Sequence, residues 1–207
     1  MRTTFLLIRH GQTAWNKEVR FRGRTDLPLD ETGRAQARRV AERLRHEPIA
    51  AVYASPLARA AETARPLAEA LGLPVQPNPG LLDIDFGQWQ GLTPKEVSAR
   101  WPELYLLWQQ SPDRVAVPGG ESLSVVQDRA MAALSSLAEE HAGETVALVG
   151  HQVVNKTILL AVLGMPLSAF WRIPQDTGCI NAFAWTSGDW SLLYLNDTCH
   201  LAGPAQK

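Results

Sequence analysis

The sequence predicts an α/β fold built on a largely parallel sheet. Two observations carry this expectation. Short apolar runs alternate along the chain with amphipathic helical patterns, as strands joined by crossover helices require. Two of those runs, Leu6-Leu7-Ile8-Arg9-His10-Gly11 and Leu148-Val149-Gly150-His151, end abruptly on a histidine. In such sheets, ligand sites lie beyond the carboxyl ends of parallel strands, where the strand order switches. Histidines distant in sequence can meet there.

The 207 residues suit a single domain, 1–207, with a helical insertion over about 94–117. Thr4 to Ile8 reads as a buried strand. Asp30 caps a helix to about Arg45, in which Ala37, Val40, Ala41 and Leu44 share one face. Ala50 to Tyr53 is a second strand. Ser55-Pro56 predicts a helix start, with serine as N-cap and proline at the first helical position. That helix buries Leu57, Ala60, Ala61, Ala64 and Leu71, kinks or breaks at Pro66 and ends at Gly72. The stretch from Pro94 to Val117 interrupts the alternation with Trp101, Tyr105, Leu106, Leu107 and Trp108. It predicts a helical excursion that serves as a lid or packs as a satellite core. Ser122 or Glu121 opens a long helix with Leu123, Val126, Ala130, Leu134 and Leu137 inward. Thr145 to Val149 is a third strand. A helix follows to Leu163, stopped by Gly164 and Pro166. Ile180 to Trp185 and Trp190 to Leu195 form a hairpin around Ser187-Gly188-Asp189. The tail after Leu201 reads as frayed.

Composition narrows the function classes. With 45% hydrophobic and 20% charged residues, the chain is globular rather than disordered. A formal net charge of −1 argues against nucleic acid or an anionic membrane as a bulk partner. Cys179 and Cys199 make no disulfide framework and fit reduced thiols in the cytoplasm. The apolar run from Phe5 to Ile8 is too short for a secretion signal, and Arg9 ends it. No stretch is apolar and long enough to span a membrane. The five histidines form no His-x-x-x-His pair and there is no Cys-x-x-Cys, so no metal is expected. A homodimer could pair through the Trp101–Trp108 segment or the hairpin near Trp185 and Trp190.

The chemistry starts from two arginines. Arg59 falls in the first turn of its expected helix, where a cation opposes the helix dipole. A bound anion would reverse that penalty; a solvated side chain would avoid it. Arg9 follows a buried strand, where an unpaired guanidinium is costly. Two guanidinium groups can grip a phosphoryl group bidentately. A neutral imidazole is a competent nucleophile toward phosphorus, and neighbouring arginines favour its neutral form. The second histidine, in its charged form, would help the arginines stabilise the equatorial oxygens.

The run Leu7-Ile8-Arg9-His10-Gly11-Gln12-Thr13-Ala14-Trp15-Asn16 resembles the signature of the histidine phosphatase superfamily, the phosphoglycerate mutase-like proteins. The resemblance continues, in order, through Phe21-Arg22-Gly23, Asp26-Leu27-Pro28-Leu29, Thr32-Gly33-Arg34-Ala35-Gln36-Ala37, Ala54-Ser55-Pro56-Leu57-Ala58-Arg59-Ala60-Ala61-Glu62-Thr63-Ala64, Asp83-Ile84-Asp85-Phe86-Gly87-Gln88-Trp89-Gln90-Gly91, Gly119-Gly120-Glu121-Ser122 and Gly150-His151. It implies a three-layer α/β/α sandwich and a phosphatase that needs no metal or organic cofactor. His10 would become phosphohistidine. Arg9, Arg59 and His151 would form the phosphate pocket, with Asn16 and Arg22 adding contacts and Gln12, Gly23 and Gln152 lining the site. Arg24, Phe86, Trp108 and His200 are candidate specificity residues.

One position departs from the family, whose proton donor is commonly glutamate where this chain has Asp83. Aspartate is about 0.4 pKa units more acidic than glutamate. Neighbouring arginines should hold it ionised, although the acid must be protonated to release an alkoxide. Asp83 is expected to donate the proton and then activate water, with Asp85 as the alternative donor. Cofactor-dependent mutases of this kind carry a basic insertion where Pro94–Val117 stands. Here that segment has only Lys95, Arg100 and Arg114, which favours a phosphatase over a mutase. A non-catalytic module that binds phosphorylated ligands is a further alternative, disfavoured by the intact nucleophile. Arg20, Arg22 and Arg24 share one loop and could meet a substrate carboxylate or second phosphate, or remain solvated. Phosphoserine, phosphoglycerate derivatives, α-ribazole phosphate and broad monoester hydrolysis all stay open as substrates.

Overall fold

The computed structural model describes residues 1–202, so the tail expected to fray falls, from residue 203, outside the described residues. Strand β1 (Arg2–Arg9) lies inside a six-stranded sheet ordered β3-β2-β4-β1-β5-β6. The others are β2 (Ile49–Ala54), β3 (Val75–Pro77), β4 (Thr145–Gly150), β5 (Ile180–Thr186) and β6 (Asp189–Asp197). β1, β2, β3 and β4 run parallel. β5 and β6 are antiparallel additions, joined by the expected hairpin.

The alternation of side chains across the strands builds two cores. Leu6 and Ile8 of β1, with Val52 and Ala54 of β2, face α2 (Glu31–Leu44) and α3 (Ala58–Leu71). Phe5 and Leu7, with Leu148 and Phe183, face α6 (Leu123–Glu140) and α7 (Gln152–Val162). The result is the three-layer α/β/α sandwich that the resemblance implied. A short α1 (Ala14–Lys17) follows β1.

Where expectation and structure differ, the reason is tertiary. Ser55 does not cap α3. It is fully buried beyond β2, and its amide donates to Val149 at 2.9 Å, which extends the sheet pairing. The helix begins at Ala58, whose amide donates to Asp26 at 2.7 Å, a cap supplied from a distant loop. α3 runs unbroken through Pro66, held down by Ala60, Ala64, Leu67 and Ala68. The missing N–H at Pro66 costs one helical hydrogen bond without breaking the rod. Strand β3 went unread because its three residues are too few to show alternation.

The Pro94–Val117 segment folds as α4 (Pro94–Arg100) and α5 (Pro102–Gln110), followed by a short 3-10 turn. Thr93 and Glu96 cap α4 reciprocally. Val97, Trp108, Val115 and Val117 are buried in the main core, so the segment is no separate satellite. Trp101, Trp185 and Trp190, offered as subunit contacts, also pack inward against that core. Cys179 and Cys199 are unpaired.

Two glycines of the ordered motifs touch each other. A Cβ on Gly33 would stand 2.1 Å from the Gln12 carbonyl oxygen, and one on Gly11 would stand 2.5 Å from the Gly33 carbonyl oxygen. The first turn of α2 therefore seats directly on the backbone that follows β1. Gly33→Ala must open this contact, with an expected loss of about 1–3 kcal/mol. Urea unfolding of the variant measures it; an unchanged midpoint would contradict the packing.

Candidate active site

Strand pairing assembles the site. The parallel register sets Arg9 against Gly150, so the next residues, His10 and His151, emerge side by side. Their ring centroids lie 5.1 Å apart. β2 flanks β4 on its other side and leads into α3, whose first turn carries Arg59. His10, His151 and Arg59 are fully buried. Over them opens a cleft of about 700 Å³, whose polar lining includes Arg9, Asn16, Arg20, Arg22, Asp83, Gln152 and Asp176. Phe86, Tyr105, Trp108, Phe170 and Trp171 make its apolar walls.

The two histidines are held in opposite tautomers. His10 Nδ1 lies 2.6 Å from the Gly11 carbonyl oxygen. A carbonyl only accepts, so Nδ1 carries the hydrogen and Nε2 keeps its lone pair. That Nε2 is buried without a hydrogen-bond partner among the described residues. His151 Nδ1 accepts from Arg59 Nε at 3.1 Å. A guanidinium only donates, so the His151 hydrogen sits on Nε2, also unpartnered. One ring thus offers a nucleophile and the other a donor. Burial, then the charge of Arg59, holds both imidazoles well below their usual range. His151 is therefore neutral, against the expectation of a charged second histidine. It can steady an oxyanion by donating a hydrogen bond, while the guanidinium groups supply the charge.

Arg59 is fixed on every side. Nη2 donates to the Gly23 carbonyl at 2.7 Å and Nη1 to the Thr25 carbonyl at 2.9 Å. Arg9 donates through Nη1 to the Gln175 carbonyl, and its Nε has no protein partner. Burial, with Arg22 nearby, lowers Arg9 to about 10, so it stays charged at neutral pH. Arg22 donates weakly to the Trp15 carbonyl at 3.4 Å, and its Nε is likewise unpartnered. Three buried or half-buried guanidinium groups thus face one buried carboxylate, Asp83, which lies 3.6 Å from Arg59 Nη2. This surplus of positive charge is costly without an anion.

Asp83 titrates opposite to the sequence expectation. Burial outweighs Arg59 and Arg22 and raises its carboxyl above the ordinary value of 3.8. A raised value suits a proton donor. The backbone around it is anchored from α6 and the turn before it. Arg129 donates to the Asp83 carbonyl at 3.1 Å and to Glu121. Glu121 accepts the Asp85 amide at 2.9 Å and Arg24 Nη2 at 2.9 Å. Gly120 packs so closely that a Cβ would stand 2.3 Å from the Asp85 carbonyl oxygen. The Gly119-Gly120-Glu121-Ser122 motif therefore holds the loop that carries Asp83. Asp85 itself caps the Gly87 amide at 2.8 Å and stands outside the cleft lining, a turn residue.

The remaining candidates divide. Asn16 and Gln152 line the cleft, as do Phe86 and Trp108. Asn16 Oδ1 accepts from Thr13, which leaves its amide nitrogen to donate. Gln12 turns away, its amide donating to Asp30 at 2.9 Å. Gly23 contributes its carbonyl to Arg59 rather than a cleft wall. Arg24 is spent on Glu121 and Asp85. His200 donates to the Gly178 carbonyl at 3.0 Å, close in sequence to the cleft residues Asp176 and Thr177 but outside the lining. Sequence reasoning missed Gln175, which acts through its backbone and leaves no signal. It also missed Lys156, a lone lysine in an apolar helix.

The family model described as histidine phosphatase superfamily (branch 1) matches residues 5–198. The chain belongs to the histidine phosphatase superfamily. It is 35% identical over 196 residues to phosphoserine phosphatase 1 of Hydrogenobacter thermophilus, covering 95% of this chain and 93% of that one. The solved structure of Bacillus stearothermophilus YhfR superposes with a TM-score of 0.92 at 35% identity, covering 97% of this chain and 100% of that one. A mycobacterial glucosyl-3-phosphoglycerate phosphatase complexed with VO3 superposes with a TM-score of 0.87 at 30% identity, covering 94% and 99%.

Arg59→Lys keeps a charge but loses the Nε donor that sets the His151 tautomer and the fork that meets Gly23 and Thr25. Steady-state turnover of p-nitrophenyl phosphate is expected to fall about a hundredfold or more in kcat/KM. An unchanged value would contradict this role.

Proposed function

We propose that this chain hydrolyses small phosphomonoesters in two steps, through a phosphohistidine on His10, without a metal ion. The membership and the named relatives make it a phosphatase of small phosphorylated metabolites, and the mutase alternative has less support. The observation that carries the mechanism is the unpartnered His10 Nε2, on a ring whose Nδ1 faces the Gly11 carbonyl, beside three guanidinium groups and the buried Asp83 carboxylate.

In the first step His10 Nε2 attacks phosphorus and the bond to the ester oxygen breaks. Asp83 gives its proton to that leaving oxygen. Arg9, Arg22 and Arg59 carry the charge of the equatorial oxygens, and His151 donates from Nε2. In the second step the Asp83 carboxylate takes a proton from water, whose oxygen attacks phosphorus. The phosphorus–nitrogen bond breaks, phosphate leaves, and both His10 and Asp83 return to their starting states. Asn16 and Gln152 orient the phosphate oxygens from the rim. Phe86, Trp108 and the other aromatic walls take the alcohol portion, phosphoserine and phosphoglycerate derivatives among the substrates.

The shifted acidities set the pH dependence. His10 must be neutral to attack, and its value lies well below 6.5, so the acid limb lies well below that pH. Asp83 must be protonated in the first step, so activity falls as pH rises through its raised value. A pH–rate profile of kcat/KM checks both limbs, and an acid limb at or above pH 6.5 would contradict a neutral, buried His10.

The two unpaired cysteines support a reducing, cytoplasmic setting. Among the described residues no helix is long and apolar enough to cross a membrane. The near-zero net charge gives no support for a nucleic-acid partner. A homodimer finds no support in the inward-packed tryptophans, and light scattering decides it.

Release of p-nitrophenol from p-nitrophenyl phosphate in EDTA tests the reading, with steady turnover expected. No release between about pH 4 and 8, where carboxyl and imidazole groups titrate, favours the binding module instead. Asp83→Asn is expected to cripple alkyl phosphates far more than p-nitrophenyl phosphate, whose leaving group needs little protonation. Equal losses on both substrates would remove Asp83 as the donor.

A further inference from the structure

We infer that Lys156 anchors a second anionic group of the substrate, a carboxylate or another phosphate on the alcohol portion. This rests on the phosphatase reading of the cleft and names the class of ester it takes. Lys156 lies on α7 one helical turn after Gln152 and three residues after Val153, both of which line the cleft. Lys156 is not itself among the residues that line the cleft, but helical side chains lean toward the amino end of their helix, which on α7 is the His151 end. Its ammonium nitrogen lies 4.7 Å from the ring centre of Phe170 and 5.0 Å from that of Trp171, two cleft walls.

The residue is only 4% exposed, yet no carboxylate pairs with it among the described residues. The one charge acting on it is Arg9, which repels. A buried ammonium held against aromatic faces, with no counter-ion, is a site short of an anion. Burial and Arg9 lower it to about 8, so it remains mostly protonated at neutral pH. Arg9 lines the cleft and repels Lys156, so a substrate with a phosphate at one end and an anion at the other offsets both charges.

The test compares kcat/KM for p-nitrophenyl phosphate, glycerol 3-phosphate, 3-phosphoglycerate and propane-1,3-diol bisphosphate in the wild type and in Lys156→Met. The variant is expected to lose about ten- to a hundredfold on at least one doubly anionic ester, the worth of one charge-assisted hydrogen bond. p-Nitrophenyl phosphate and glycerol 3-phosphate should stay close to wild type. Whichever doubly anionic ester loses rate identifies carboxylate or phosphate as the group bound. Equal losses on all four, or no loss on any, overturn the inference and leave Lys156 a packing residue. Wild-type protein alone gives an independent reading, because the methyl ester of 3-phosphoglycerate removes the carboxylate charge. Selection against that ester by about tenfold supports the anchor; equal rates on acid and ester, with the bisphosphate also no better than glycerol 3-phosphate, overturn it. Continued hydrolysis of p-nitrophenyl phosphate in each case keeps the phosphatase reading separate from the fate of this one.

Discussion

The parallel pairing of β1 with β4 is the constraint on which the rest depends. Both strands are buried on both faces, so slipping the register would turn their apolar side chains out of the two cores. The same register that protects the cores places His10 beside His151. Stability and chemistry are therefore fixed by one set of backbone hydrogen bonds, and a change to either strand is felt by both.

Around that pair the fold concentrates charge it does not neutralise. Arg9, Arg22 and Arg59 arrive from a strand end, a loop and a helix start, and each donates to a backbone carbonyl, while Arg59 also lies 3.6 Å from the Asp83 carboxylate. Carbonyls orient a guanidinium without cancelling its charge, which leaves the field directed at an incoming phosphate. The buried carboxylate, Asp83, is pushed above its ordinary acidity range because burial outweighs the nearby guanidinium groups. The same low-dielectric setting keeps the imidazoles neutral, so one physical cause prepares both the base-like nucleophile and the acid.

Much of this was legible in the sequence, because the strongest signals are local. The strands ending on histidine, the amphipathic faces of α2 and α6 and the hairpin at Ser187-Gly188 each declare themselves within a few residues. What was not legible depends on distant partners. The cap of α3 comes from Asp26 and not from Ser55, so adjacency misled. The acidity of Asp83 depends on how burial competes with Arg59 and Arg22, which only the folded arrangement decides. The neutral state of His151 depends on its burial and on the charge of Arg59, and its tautomer on one bond from Arg59 Nε. Arg24, Gln12 and His200 carry suitable chemistry but are committed elsewhere, and nothing local in the sequence distinguishes them from Arg22, Asn16 and Gln152.

The central claim is that the two histidines occupy opposite tautomers, one bare and one protonated at Nε2. Nitrogen NMR of the protein with labelled imidazoles reports this directly at neutral pH. The account predicts a protonated Nδ1 and an unprotonated Nε2 for His10, with the reverse arrangement for His151. A hydrogen on His10 Nε2, or a cationic His151, would contradict it.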